Sequence, residues 1–320
     1  MDGPRILGLL GLAAALAVAD EPARANGSAA ELVVVAPWGD GDGALGRRGG
    51  DESNFEGPPS FAVGLAGDLF VLDAVNRRAA RWSADGAWLG ATPLGSETFV
   101  DLAVAPGGEL VLLDRLVARV VRVVTLDGTV VGEAPVEGEG IPEGGGVTGV
   151  FARDDGVWLE YEHRWSVRVM DPRFAPAFYR WAVPGRPAGP DALHVGAGRR
   201  GIDALDVWTF DREAGQELAR ATLRFAKPVD RIGGLGRNAA GRLMLAAHLL
   251  VEGPGPGYEV EFSGFEVVVL DAGLQERARF AAPDSEGPWE QWDAFELADD
   301  GAVWQSAFTE RGVEVRRWRP

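Results

Sequence analysis

Short apolar runs punctuated by glycine and aspartate recur along the chain, and their spacing predicts strands joined by tight turns, without crossover helices. Phe61-Ala62-Val63, Gly67-Asp68-Leu69-Phe70-Val71-Leu72-Asp73 and Ala84-Asp85-Gly86 return about 41 residues later as Leu102-Ala103-Val104, Gly108-Glu109-Leu110-Val111-Leu112-Leu113-Asp114 and Leu126-Asp127-Gly128. Fainter copies follow. The third holds Gly149-Val150-Phe151, Asp155-Gly156-Val157-Trp158-Leu159-Glu160 and Ser166-Val167-Arg168-Val169-Met170-Asp171. The fourth, the weakest, is read as starting at Leu193-His194-Val195, passing through Asp206-Val207-Trp208-Thr209-Phe210 and ending at Ala221-Thr222-Leu223-Arg224-Phe225. The fifth holds Gly241-Arg242-Leu243-Met244-Leu245, Phe265 to Asp271 and Ala278-Arg279-Phe280. The sixth holds Phe295-Glu296-Leu297, Gly301-Ala302-Val303-Trp304-Gln305 and Val313 to Trp318.

Units of roughly 40 to 55 residues, each made of strands alone, predict an all-β fold, a six-bladed β-propeller with four-stranded blades. The sixth unit lacks an outermost strand, and Glu31-Leu32-Val33-Val34-Val35 is a strand without a blade. This N-terminal strand is therefore expected to close the last blade, which removes an exposed sheet edge.

The stretch Trp38-Gly39-Asp40-Gly41-Asp42-Gly43-Ala44-Leu45-Gly46, then Asn54 to Val63 with Pro58-Pro59, Asp73-Ala74-Val75-Asn76-Arg77-Arg78 and Asp85-Gly86 resembles an NHL repeat. That pattern has an aromatic-Gly start, a Gly-rich link, Pro before the first strand, an apolar strand ending in Asp, an Asn-x-Arg turn and Asp-Gly. The second copy keeps Asp114 but carries Val117 where the Asn falls, and later copies keep mainly the spacing. The resemblance implies a propeller of the NHL, TolB-like kind and leaves function open, because this architecture hosts unrelated activities.

The N-terminus changes the picture of where the protein works. Residues 6–19 are an unbroken apolar run of about 14 residues behind Arg5, too short to span a bilayer. With small-x-small sites ending at Ala19 and Ala25 it reads as a signal peptide over residues 1–25, cleaved after one of those two alanines. Residues 26–320 then form a single domain, periplasmic or extracellular, with no membrane span. A single lysine, Lys227, among 31 basic residues suggests a GC-rich, bacterial source. There is no cysteine, so neither disulfides nor a lipid anchor on an N-terminal cysteine is expected. The net charge of −17 repels phosphate backbones and argues against nucleic acid.

Candidate chemistry is sparse. Gly41-Asp42-Gly43-Ala44-Leu45-Gly46 matches G-x-G-x-x-G, yet Arg47-Arg48-Gly49-Gly50 after it cannot start the helix a dinucleotide site needs. Asp40 and Asp42 lack the closing glutamate of a calcium loop. Asp73, Asn76 and Asp114 follow apolar strands and are read as turn formers that hydrogen-bond nearby backbone. Glu160, Glu162, His163 and His248 are the right ligand types for a divalent metal such as calcium, although strand alternation parts His163 from the two glutamates unless the strand ends there. His194, read as lying on an innermost strand, is a candidate for the central channel, as are Asp101 and Glu296. Trp289 and Trp292, in the polar loop before the sixth blade, are candidates for contact with a peptide or sugar. Two functions remain. One is a non-catalytic binding or scaffold module for a protein, a peptide or another ligand, with no cofactor. The other, implied by six-bladed relatives, is a metal-dependent lactonase- or lyase-like enzyme working in the channel.

Overall fold

The structure is a computed structural model that describes residues 29–49, 55–189, 191–254, 259–286 and 291–320. The expected signal peptide with its two candidate cleavage points, Asn54 of the NHL-like stretch and Trp289 lie outside the described residues.

Six four-stranded antiparallel sheets form six blades. The first holds β2 (Phe61–Val63), β3 (Leu69–Asp73), β4 (Arg78–Trp82) and β5 (Trp88–Pro93), and the second β6 (Asp101–Val104), β7 (Leu110–Asp114), β8 (Val120–Val124) and β9 (Val130–Pro135). The third holds β10 (Val147–Arg153), β11 (Gly156–Tyr161), β12 (Trp165–Met170) and β13 (Ala182–Pro184), and the fourth β14 (Arg186–Pro187), β15 (Leu193–Gly201), β16 (Ala204–Asp211) and β17 (Gln216–Arg224). The fifth holds β18 (Val229–Arg237), β19 (Leu243–Glu252), β20 (Val260–Leu270) and β21 (Glu276–Ala282). The sixth is β22 (Phe295–Leu297), β23 (Val303–Thr309) and β24 (Gly312–Trp318), completed by β1 (Glu31–Pro37).

The strand patterns follow from the stacking of blades. A second strand is covered on both faces by neighbouring blades, so Leu69–Asp73 and Leu110–Asp114 are buried throughout and read as continuous runs. The outer strands face solvent on one side, and Val130–Pro135 is largely exposed. Buried apolar clusters fill the seams between blades one and two, two and three, four and five, five and six, and six and one. Blades three and four meet instead through an edge-on contact of Trp158 with His194, with Arg212 over the same indole and paired to Asp155 at 2.6 Å.

Ring closure works as the sequence predicts. β1 pairs antiparallel with β24 from Glu31 opposite Arg317 to Pro37 opposite Gly312. Its Val34 and Ala36 enter the cluster formed with Phe61, Trp304, Phe308 and Val315, and the Val34 side chain alone is worth about 2 kcal/mol of burial. Gly86, at φ 86°, sits in the third-to-fourth-strand turn of blade one, where a Cβ would collide with the Val33 carbonyl oxygen of β1. Gly128 presses on the Pro93 carbonyl in the same way. The repeated Asp-Gly is thus the point where each turn rests on the outer strand of the preceding blade, and only glycine fits there.

One register differs from expectation. The innermost strand of blade four is the two-residue β14, so Leu193-His194-Val195 belongs to the second strand and every later run in that blade moves outward by one position.

Candidate functional site

The central channel is a wide cavity and a narrow one meeting end to end. The wide cavity, about 1200 Å³, opens on the face that carries the second-to-third-strand turns and the links between blades, and all six blades contribute to it. The narrow cavity, about 240 Å³, opens on the opposite face beside the first-to-second-strand turns. Phe151, Arg186, Leu235 and Asp293 line both and form the constriction.

Arg186 is the hub of that constriction. It grips the Glu160 carboxylate through Nε at 2.9 Å and Nη2 at 2.8 Å, donates Nη1 to the Leu235 carbonyl at 2.9 Å, and lies over the Phe151 ring. Glu160 also accepts from the Thr148 hydroxyl at 3.0 Å. Burial alone would raise its pKa, but the Arg186 charge and the hydrogen bond with His163 hold it at about 2. Toward the narrow mouth the carboxyls behave in the opposite way. Asp101 is buried and raised to about 6 by that burial, against hydrogen bonds donated by the Ser60 hydroxyl and the Val150 and Leu102 amides. Burial pushes Glu296 up to about 7, opposed by Arg153. Asp293 is raised well above the usual carboxylate range, first by burial and then by the charges of Asp101 and Glu296. Among the described residues the Asp293 and Glu296 side chains have no hydrogen-bond or ion-pair partner, and both are half-buried against channel space.

On the wall of the wide cavity Arg115, just after β7, lies 4.1 Å over the Trp292 ring. Its Nη1 donates to the carbonyls of Gly145 at 2.7 Å and Val147 at 3.0 Å, and burial lowers its pKa. Leu116 and Val117 follow on the same turn, 56% and 71% exposed. Four buried polar atoms of residues that line the wide cavity lack partners among the described residues: Arg115 Nε, Gln291 Nε2, Trp292 Nε1 and Gln305 Oε1.

The other sequence candidates take different places. Trp292 lines the wide cavity and is pinned by its amide to the Pro59 carbonyl at 2.7 Å. His194 does not face the channel. It is fully buried on β15 between blades three and four, 3.4 Å from the Gly185 carbonyl, with burial lowering its pKa to about 4. Asp73 accepts from the Gly46 amide and from Asn76 and Arg78, while Asn76 and Arg78 donate to carbonyls of the 39–44 segment, so this set ties the link after β1 to blade one. That link makes a loop closed by a bridge from Trp38 to Leu45, with no helix. Asp114 accepts from the Val117 and Ala118 amides and the Thr98 hydroxyl.

β11 ends at Tyr161, and Glu162 and His163 turn the chain at φ 50° and 54°. The strand end lets His163 fold back to 3.0 Å from Glu160, while Glu162 pairs outward with Arg164. His248, in another blade, bridges Asp230 at 3.0 Å through Nδ1 and Asp284 at 2.8 Å through Nε2. Among the described residues no three His, Asp or Glu side chains converge as a metal-binding group. A cation at Glu160 would have to displace the Arg186 fork.

The His248 cluster is not visible in the sequence, because its members come from β18, β19, β20 and the following link. Ser263 Oγ lies 3.0 Å from His248 Nε2 with Asp230 on Nδ1, the connectivity of a hydrolytic triad. Asp284, however, accepts the Ser263 hydroxyl and faces Nε2 itself. Burial works against the Asp284 charge, yet His248 and Ser263 hold its pKa at about 2. The serine proton is therefore held by a carboxylate, not offered to the imidazole, and the cluster clamps the link before blade six onto blade five.

Fold and cavity together define a six-bladed β-propeller with a funnel at one mouth of its channel. No protein-family model and no curated protein sequence matches the chain. Among solved structures it is similar to a member of the DUF4221 family from Bacteroides vulgatus, with 12% identity over 91% of this chain and 98% of that one and a TM-score of 0.51. It is also similar to hydrazine synthase of Kuenenia stuttgartiensis, at 13% identity over 78% and 76% of the two chains and a TM-score of 0.50. The WD40 repeats of RRP9 match at 12% identity over 81% and 79%, also with a TM-score of 0.50. At these identities the likeness is one of fold alone. No helix among the described residues is long and apolar enough to cross a membrane.

Proposed function

We propose that the protein is an exported, non-catalytic propeller of the NHL kind that binds a peptide segment of a partner protein in the wide cavity. The observation that carries this reading is the cavity itself: about 1200 Å³, built by all six blades on a rigid ring, with Trp292, Phe55, Leu116 and Val117 offering apolar surface beside fixed charges. Export rests on the leader sequence, and the absence of nucleic acid from the proposed partners rests on the −17 charge. The test is to pan a random peptide library on residues 26–320 and titrate the hits into wild type, Val117→Glu and Trp292→Ala. The exposed Val117→Glu change is expected to weaken binding by about tenfold or more without changing the melting temperature. Hits indifferent to both substitutions, or no hits, overturn the proposal.

A second reading is favoured by one observation. Asp293 at the channel constriction and Glu296 in the narrow cavity beside it are carboxyls with raised pKa and, among the described residues, no hydrogen-bond or ion-pair partner, a setting in which a general acid works. It is the form that the enzyme alternative takes here, with the channel floor as its site.

A further inference from the structure

We infer that Arg115 is the docking point for a carboxylate, and that the wide cavity takes the free C-terminus of a peptide whose last residues are apolar. The inference rests on the peptide-binding reading above and specifies which end of the peptide enters and what holds it.

Five arginines line the wide cavity: Arg48, Arg115, Arg186, Arg199 and Arg231. Three are neutralised by the protein: Arg48 by Glu56 and Glu97, Arg186 by Glu160, and Arg231 by Asp230. Arg199 is spent on the Asp230 carbonyl at 2.6 Å. Like Arg199, Arg115 has no carboxylate within ion-pair distance among the described residues; it differs from the exposed Arg199 in being partly buried, so that its charge is held at a cost. Two carbonyls fix Nη1 and the Trp292 ring supports the guanidinium face, so the group cannot swing out to a distant acid. With Nη1 occupied by the two carbonyls and Nε buried, Nη2 is the donor that this immobilised guanidinium offers a carboxylate.

The surroundings select the kind of anion. Glu56, Glu97 and Asp284 also line the cavity, and their charges repel a doubly charged phosphate more strongly than a singly charged carboxylate. A singly charged carboxylate suits the field better. Leu116 and Val117, exposed and adjoining Arg115 in the chain, place apolar surface directly beside the cation. An α-carboxylate attached to an apolar residue matches that juxtaposition, whereas an internal Asp or Glu carries its charge on a stem flanked by continuing chain.

The test uses residues 26–320 and a set of peptides ending in leucine, valine or phenylalanine, each made as free acid and as C-terminal amide, with isovalerate as a small-molecule probe. Free acids are expected to bind about tenfold or more tightly than amides. Arg115→Gln should erase that preference, and Arg115→Lys should restore part of it because the charge returns without the stacked fork. Melting curves of both variants are the check that the fold is intact. Isovalerate binding that needs Arg115, with no peptide bound, keeps the carboxylate site and overturns the peptide as its source. Peptides that bind through the cavity, are lost on Val117→Glu, and bind equally as acid and amide leave the peptide reading standing and overturn this inference.

Discussion

Replacing Glu296 with Gln isolates the electrostatics of the channel floor. Glu296 lies on β22 at the narrow mouth, and burial raises its pKa from the ordinary 4.5 to about 7, with Asp101 and Asp299 adding to the rise and Arg153 and Arg186 opposing it. A tenfold change in proton affinity is worth about 1.4 kcal/mol, so ionising the group in place costs roughly 3 kcal/mol. Its side chain is half-buried against the narrow cavity, and screening there brings the expected cost to about 1–3 kcal/mol. The sign follows from proton binding. Below pH 4.5 the carboxyl is protonated in both folded and unfolded chains. Between 4.5 and 7 the unfolded chain releases the proton while the folded one keeps it, so stability falls as pH rises, and above 7 the loss is complete. Gln keeps the neutral shape and never ionises. Urea unfolding near pH 4.5, 6 and 8 should give wild type and Glu296→Gln equal stability at the lowest pH, with the variant ahead by about 1–3 kcal/mol at the highest. Asp101 tilts the wild-type curve in the same direction. His194, depressed to about 4, tilts it oppositely by losing stability as pH falls from 6.5 toward 4. Both groups are present in the two proteins, so the difference between the curves reports Glu296, plus the easier ionisation of Asp101 and Asp293 once its charge is gone. Parallel curves, or a variant less stable at pH 8, would refute the reasoning.

Asp73→Ala removes a fully buried carboxylate that accepts from Gly46, Asn76 and Arg78, and calorimetry should show a loss of about 2–4 kcal/mol and a melting point lower by roughly 5–10 °C. Starting the chain at Trp38 removes β1 and leaves the edge of β24 unpaired, so the shortened protein should elute as aggregates in size-exclusion chromatography; a monodisperse, cooperatively melting product would show that closure is dispensable. Adding Ca²⁺, Mn²⁺ or Zn²⁺ should leave the melting temperature unchanged within about 1 °C, because Arg186 already occupies Glu160. A rise abolished by Glu160→Gln or His163→Ala would establish the metal site instead.

Where the sequence can be read, the reason is visible in the structure. The first two blades declare themselves because their Asp-Gly turns must carry positive φ and fit under a neighbouring strand, as Gly86 and Gly128 do. The closing strand is legible because Glu31–Pro37 has strand pattern and no partner in its own unit. Blade four misleads because its innermost strand is only Arg186–Pro187, too short to register as a run beside the long β15 and β16. Counting from Leu193 moves His194 onto the channel and hides Arg186, which holds the constriction.

The funnel resists reading for a different reason. A site on the axis of a ring takes a residue or two from each blade, so Arg115, Glu160, Arg186 and Asp293 meet across most of the length of the chain, and their closeness is a property of ring closure. What survives in the sequence is weaker: a polar residue on or beside the first strand of a repeat, where the blade narrows toward the axis and burial leaves it no bulk water. Asp101 and Glu296 carry that signal and are found by it. With blade four counted from β14, the same rule yields Arg186, and from β10 it yields Arg153. The rule misses Arg115, which reaches the cavity from the turn after a second strand. There the only trace is the substitution of Val117 for the turn-forming Asn of the first repeat. It gives up a capping side chain and puts an apolar residue on the rim, a local cost that is understandable if the turn serves a ligand.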